Sequence, residues 1–264
     1  AAEGLQASGM SGHVLSETRD RIARIELSRP DKKNALTGEM YAQLGAAIAT
    51  ADKDPQVRVV LLHGAPDCFC AGNDVADFLN RPPLSAGSPS RGFFDAMLGL
   101  GKPLVAAVGG PAVGIGTTML LHCDLVYAAA NARFQLPFVP LGIVPEFGST
   151  YLLPIMAGYQ RAAELLLLGQ PFTADKAKEV GIVTDVVPES RLMQKARETA
   201  LALAALPPES LRLTKQLMKK RHAQAVREAI AEEIEIFGRR LASAEAKEAM
   251  SAFLEKRKPD FSRF

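Results

Sequence analysis

The decapeptide LGIVPEFGST, residues 141–150, sets one carboxylate, Glu146, directly after a proline and among Ile143, Val144 and Phe147. A carboxyl group enclosed by such neighbours loses hydration, which disfavours its charged form and raises its pKa toward the range useful for proton transfer. The same pattern fits a surface acid opening a helix, with Pro in the first turn and the acid favoured by the helix dipole. Two glycine-containing stretches offer a complementary device: CFCAGNDV, residues 68–75, and GGPAVGIGTTMLLHCD, residues 109–124. Neither is a Walker loop, because no G-K-[ST] follows, and GPAVGIG lacks the spacing and downstream acid of a dinucleotide fingerprint. Each reads instead as a strand running into a glycine turn, where main-chain N–H groups lack internal partners. Two such amides aimed at one oxygen would form an oxyanion hole.

Other reactive residue types have structural explanations. Asp74 suits a cap or a turn, His63 ends an apolar strand, His122 sits in a helical pattern and Asp185 lies at a strand end. Ser149 and Thr150 suit bonds at a helix start, and no triad motif surrounds any serine. Cys68, Cys70 and Cys123 have no metal spacing, and an odd count argues against a disulfide framework, so they read as small buried hydrophobes with no metal site.

The elements that must position Glu146 and the two turns alternate in type. RIARIEL, residues 21–27, puts Ala23, Ile25 and Leu27 on one face of a strand and Ile22, Arg24 and Glu26 on the other. Residues 37–52 place Met40, Leu44, Ile48 and Ala51 at helical spacing behind Thr37 as N-cap. VRVVLLHG, KPLVAAVGG and CDLVYAAA are short apolar runs expected of strands covered on both faces, IVTDVV closes the series, and helical patterns begin near Gly116 and Gly158. Alternation of this kind predicts an α/β fold. After LPPES, residues 206–210, only helical stripes follow, carried by Leu211, Leu217, Ile230, Ile234, Phe237, Leu241, Met250 and Phe253. A helical tail too thin for its own core packs on its parent domain or on another subunit, so an oligomer is expected. The Pro-, Gly- and Ser-rich segment 80–92 is expected to be a mobile loop of the kind that serves as a lid.

Composition narrows the function classes. The chain has 264 residues, a net charge of +2, and basic clusters only at KKRH (219–222) and EKRK (255–258), which excludes a nucleic-acid-binding surface. No apolar run reaches membrane-spanning length and no signal-like segment is read, so a cytoplasmic location is expected. Residues 1–12 read as a disordered extension or an expression remnant, 13–205 as the core, and 206–264 as a helical C-terminal region.

RPDKKNAL, FCAGNDV, AVGGPAVGIG with CDLVYA, FQLPFVPLGIVPEFGST and FLEKRKPDF, in that order, resemble the crotonase, or enoyl-CoA hydratase/isomerase, family from about Arg21 to the C-terminus. The resemblance implies a spiral of repeated strand–strand–helix units with a helical C-terminal trimerisation region, acyl-CoA thioester substrates, and a homotrimer or dimer of trimers. It also implies that no separate cofactor is needed, coenzyme A being part of the substrate. It assigns the oxyanion hole to the backbone N–H groups of Asn73 and Ile115, the latter where the family usually has glycine. It places Lys32, Ala35, Ala71, Phe253 and Lys256 along coenzyme A. Phe78, Phe94, Met97 and Phe138 are expected at the acyl pocket, with Phe93 also flanking the loop. Hydratases of the family handle water with two glutamates, whose matching positions here are Thr118 and Phe138, so efficient hydration is not expected. Δ3,Δ2-enoyl-CoA isomerases of the peroxisomal type carry one catalytic glutamate in a Pro-Glu context, and Glu146 matches it. The activity this implies is a double-bond shift through a dienolate. Weak hydration, thioester hydrolysis, or a non-catalytic acyl-CoA-binding role are the alternatives.

Overall fold

The computed structural model describes residues 12–80 and 87–264, without the side chains of residues 78–80. The expectations for residues 1–11, for the middle of the 80–92 loop and for the Phe78 side chain therefore lie outside the described residues. Among the described residues nine strands form two sheets. They are β1 (Val14–Arg19), β2 (Ile22–Leu27), β3 (Val59–His63), β4 (Leu104–Val108), β5 (Pro111–Val113), β6 (Leu125–Ala129), β7 (Arg133–Gln135), β8 (Phe172–Thr173) and β9 (Asp185–Val187). The larger sheet runs β1-β2-β3-β4-β6-β9 and the smaller β5-β7-β8. Only β1–β2 and β7–β8 pair antiparallel; every other pair is parallel.

Twice the chain leaves the large sheet, adds a strand to the small one and turns into a helix: β4 to β5 to Ile115–Thr118, and β6 to β7 to the one-turn helix Val139–Leu141. An isolated parallel bridge from Cys70 to Ala112 extends the small sheet toward the first glycine stretch. This repetition stacks corresponding turns side by side, and it is what brings distant glycine segments together.

The central strands are apolar throughout because both faces are covered. Val60, Leu62 and Ala106 face the main core, while Val59, Leu61, Val105 and Ala107 face a second cluster sealed by Leu192, Ala196 and Ala200 of the helix Leu192–Ala204. Thr37 caps the helix Gly38–Lys53 by accepting from Met40 N–H at 3.3 Å. Three helices end the chain: Pro208–Lys220, Ala223–Leu241 and Ala244–Leu254. Ile230 and Phe237 are buried, and Ile234, Leu241 and Met250 pack at the core's edge. Leu217 and Phe253 of the same predicted stripes are 67% and 59% exposed. Among the described residues no helix is long and apolar enough to cross a membrane.

Candidate active site

The segment carrying Glu146 is a tight turn, not the first turn of a helix. Phe147 and Gly148 both have positive φ, 57° and 75°, and Ser149 N–H returns to the Glu146 carbonyl at 3.2 Å. Two successive left-handed residues closed by such a bond make a mirror-image β-turn. The following helix starts only at Ser149. The helix-opening alternative for Glu146 is thereby overturned, because Gly148 intervenes as the left-handed N-cap residue. A bulky residue with positive φ is uncommon and must be held by its surroundings. Phe147 is held: its ring stacks on Phe94 at 3.8 Å and on His122 at 4.0 Å, and His122 Nε2 lies 2.7 Å from its carbonyl oxygen. A carbonyl only accepts, so that nitrogen carries the proton. Burial pushes the imidazole down to about 4, consistent with a neutral structural histidine.

Glu146 itself is 4% exposed. Thr118 Oγ1 donates to its carboxylate at 2.5 Å, and among the described residues no Lys or Arg pairs with it. Burial pushes its carboxyl from 4.5 up to about 8; the Thr118 hydrogen bond opposes that rise and the Glu233 charge adds to it. Thr118 lies one helical turn beyond Ile115, so the group fixing the carboxylate and the Ile115 amide belong to one short helix.

The two glycine stretches lie against each other, with Val113 N–H donating to the Cys70 carbonyl at 2.9 Å. Gly72 has φ 99° and Gly114 φ 55°, conformations open to glycine and strained for residues with a Cβ. Each immediately precedes one of the two amides singled out above. Among the described main-chain bonds neither Asn73 nor Ile115 N–H donates to a protein acceptor. Both residues line one cleft of about 360 Å³, together with Ala71, Phe138, Met250 and Phe253. The Asn73 side chain accepts from Tyr41 Oη at 2.7 Å, which anchors it to the helix Gly38–Lys53.

The remaining predicted site residues divide. Ala71, Phe138 and Phe253 line the cleft. Phe94 and Met97 are 2% and 0% exposed in the main core and do not line this cleft, and neither does Glu146. Lys32 is exposed on the one-turn helix Pro30–Lys32; Ala35 is half-buried, its carbonyl accepting from Arg29. Lys256 is exposed beyond the last helix. Asp74 is a structural acid, paired with Arg29 at 2.8 Å and accepting from Asp77 N–H. His63 Nε2 accepts from Arg24 at 2.6 Å. Burial raises the thiols of Cys68 and Cys70 to about 11 and 12, which leaves them unreactive. Among the described residues no group of His, Cys, Asp and Glu could hold a metal.

Three participants escaped sequence reasoning: Thr118 as the partner of Glu146, Tyr41 as the anchor of Asn73, and the buried Glu233. The capping-type spacing of Ser149 and Thr150 was the only local hint of the last.

A buried carboxyl bonded to Thr118, on the same short helix as Ile115, together with two amides that line a cleft, is equipment suited to enolate chemistry on a carbonyl compound. A family model described as enoyl-CoA hydratase/isomerase matches residues 17–263, and the chain belongs to that family. The human protein named Enoyl-CoA delta isomerase 2 is 35% identical over 251 residues, 92% of this chain, which spans 64% of that protein's length. The Clostridium acetobutylicum protein named Short-chain-enoyl-CoA hydratase is 34% identical over 250 residues, covering 93% of this chain and 96% of that one. A solved enoyl-CoA hydratase/isomerase structure from Pseudoalteromonas atlantica T6c superposes with a TM-score of 0.90 at 39% identity, covering 95% of this chain and 100% of that one. The fold is the crotonase-like α/β fold. Relatives named for isomerisation and for hydration match at about the same identity.

Proposed function

We propose that this protein is a Δ3,Δ2-enoyl-CoA isomerase with Glu146 as its single acid–base group. The observation that carries the reading is the setting of that carboxyl: enclosed, without a cationic partner among the described residues, and pushed by burial up to about 8. A base poised near neutrality can take a proton and give it back, and a strongly acidic one cannot. In its ionised form Glu146 removes a proton from C2 of a 3-enoyl thioester. The electron pair delocalises onto the thioester oxygen, to which the Asn73 and Ile115 N–H groups donate hydrogen bonds, and the dienolate is reprotonated at C4 by the same carboxyl. The double bond moves from C3–C4 to C2–C3, with no water consumed and no net proton change.

The residues at the hydratase positions support isomerisation over hydration. Phe138 is apolar and 5% exposed, and the Thr118 hydroxyl is committed to Glu146. Neither can hold and deprotonate a water. The amides that would bear the oxyanion also suit a coenzyme A thioester running past Ala71 and Phe253, and Lys32, Ala35 and Lys256 belong to the same proposed track. Phe78, Phe94 and Met97 remain the proposed surroundings of the acyl chain. The exposed Leu217 supports assembly into trimers through the C-terminal helices.

The test is direct. Offered trans-3-hexenoyl-CoA, the protein should generate the ultraviolet absorbance of the conjugated 2-enoyl thioester, and Glu146→Gln should lose at least ~10²-fold in rate. Conversion unchanged by that substitution would remove the base. Faster hydration of trans-2-hexenoyl-CoA than isomerisation of the 3-enoyl isomer would favour a hydratase.

A further inference from the structure

Glu233 lies in the middle of the helix Ala223–Leu241, 87 positions beyond Glu146, yet it is only 5% exposed. Its two oxygens are fully engaged by the turn after Glu146. Oε2 accepts from Gly148 N–H at 2.6 Å, and Oε1 accepts from Thr150 N–H at 3.0 Å and Thr150 Oγ1 at 2.5 Å. These amides are orphan donors at the start of the helix Ser149–Ala157, so the carboxylate caps that helix from a distant element, where an anion is favoured. On the other side of Gly148, Val226 and Ile230 of the Glu233 helix sit where a Cβ would touch, at 3.4 Å each. Helix and turn therefore lie within contact distance of each other. No cation neutralises Glu233 among the described ion pairs, an expensive arrangement for a residue serving only as a cap.

We propose that Glu233 is a positioning residue for Glu146, fixing the turn that carries the base and setting a second negative charge behind it. This rests on Glu146 being the base. The charged and titratable groups around the pair are few. Tyr41 faces Glu146 from the helix Gly38–Lys53, and burial together with the Glu146 charge holds its phenol well above 10. The neutral Thr118 faces Glu146 from the short helix Ile115–Thr118. His122 faces the turn through Phe147, with Lys219 on the His122 carbonyl at 3.2 Å, and Glu232 adjoins Glu233 on its own helix. Burial raises Glu233 while its three donors lower it, and its charge adds to the rise of Glu146. On balance burial prevails and Glu233 also lies above the ordinary carboxylate value.

Two substitutions separate charge from position. Glu233→Gln keeps the length but removes the charge and turns an NH2 toward one of the two amides. The midpoint of the rise in kcat/KM with pH for a 3-enoyl thioester should fall by roughly half to one pH unit. kcat should fall about 10-fold or more with KM little changed, the signature of a displaced base. Glu233→Asp keeps the charge but withdraws it from the turn, so kcat should fall while the midpoint stays nearer the wild-type value. A Gln variant with the wild-type midpoint, or an Asp variant with wild-type kcat, overturns the proposal, and the second arm stands if Gln does not yield folded protein. Glu146→Gln, assayed alongside, tells the two failures apart: lost activity there with unmoved Glu233 variants rejects only the positioning role, whereas retained activity rejects the base and the positioning role with it.

Discussion

Two glutamates in this molecule expose little surface, Glu146 4% and Glu248 7%, yet they differ in depth and are tuned in opposite directions. Glu248, in the helix Ala244–Leu254, accepts from Arg257 at 2.6 Å, from Asp260 N–H at 2.9 Å and from Arg263 at 3.0 Å. The Arg257 hydrogen bond, aided by the Asp260 amide and both guanidinium charges, holds it down at about 2. Glu146 has one hydroxyl and a like charge for company and sits at about 8. Depth and partners both differ: burial drives the rise at Glu146, whereas Glu248 lies near the surface among guanidinium groups that hold it down. The C-terminal cluster uses a carboxylate as a fixed anion that ties chain segments together. The turn at residues 145–148 offers Glu146 no cation among the described residues and keeps a carboxyl able to change state.

The comparison can be broken from several directions. The largest effect should come from the clamp on the turn. Phe147→Ala removes the ring between Phe94 and His122 and should destabilise the fold by about 3–5 kcal/mol, read by denaturant unfolding. A loss below about 1 kcal/mol would mean that the turn is held by its hydrogen bonds alone.

Next is the stability cost of the base itself. The folded-state value of Glu146 is raised from 4.5 to about 8, so its favourable contribution is complete below pH 4.5 and is lost as pH rises through 8. Glu146→Gln, which cannot ionise and still offers Thr118 an acceptor, should be more stable than wild type by about 1–3 kcal/mol at pH 9. The two proteins should converge near pH 4.5. A variant less stable than wild type at pH 9 would contradict the enclosed, unpaired carboxylate.

A smaller effect should follow from Thr118→Val. Loss of the donor that favours the charged form should move the midpoint of kcat/KM upward by about one pH unit, and Thr118→Ser should restore it. A downward movement would reverse the assigned role of the hydroxyl. The smallest expected change is at the other glutamate. Because Glu248 is depressed from 4.5 to about 2, its contribution is present above pH 4.5 and lost as pH falls through 2. Glu248→Gln should lower Tm modestly at pH 7, with the difference closing toward pH 2 and isomerisation unaffected. A Glu248→Gln protein with lost activity would tie the C-terminal cluster to the chemistry.

What could be read in advance was local. The Thr37 cap, the two-faced alternation of residues 22–27, the continuously apolar strand at 59–63 and the glycine turns at 72 and 114 each follow from a few adjacent residues, and each is found in the fold. Glu146 stood out for the same reason. Its surroundings could not be read, because they depend on the spiral: Thr118 meets it across 28 positions, and Glu233 grips the turn across 85 positions to Gly148. Phe147 reads as an enclosing residue and is buried, but its backbone could not be foreseen: its stacking and the His122 contact hold it at φ 57°, and the helix starts only at Ser149. The exposure of Phe253 belongs to the same class, since a helix stripe does not reveal which of its members face the cleft.

The most direct test is the pH dependence of kcat/KM for conversion of trans-3-hexenoyl-CoA to the conjugated thioester. In the proposed mechanism ionised Glu146 is the active form, so the rate should rise with pH to a plateau with its midpoint at about 8. A midpoint near 4.5, or a rise that persists undiminished in Glu146→Gln, would contradict the account.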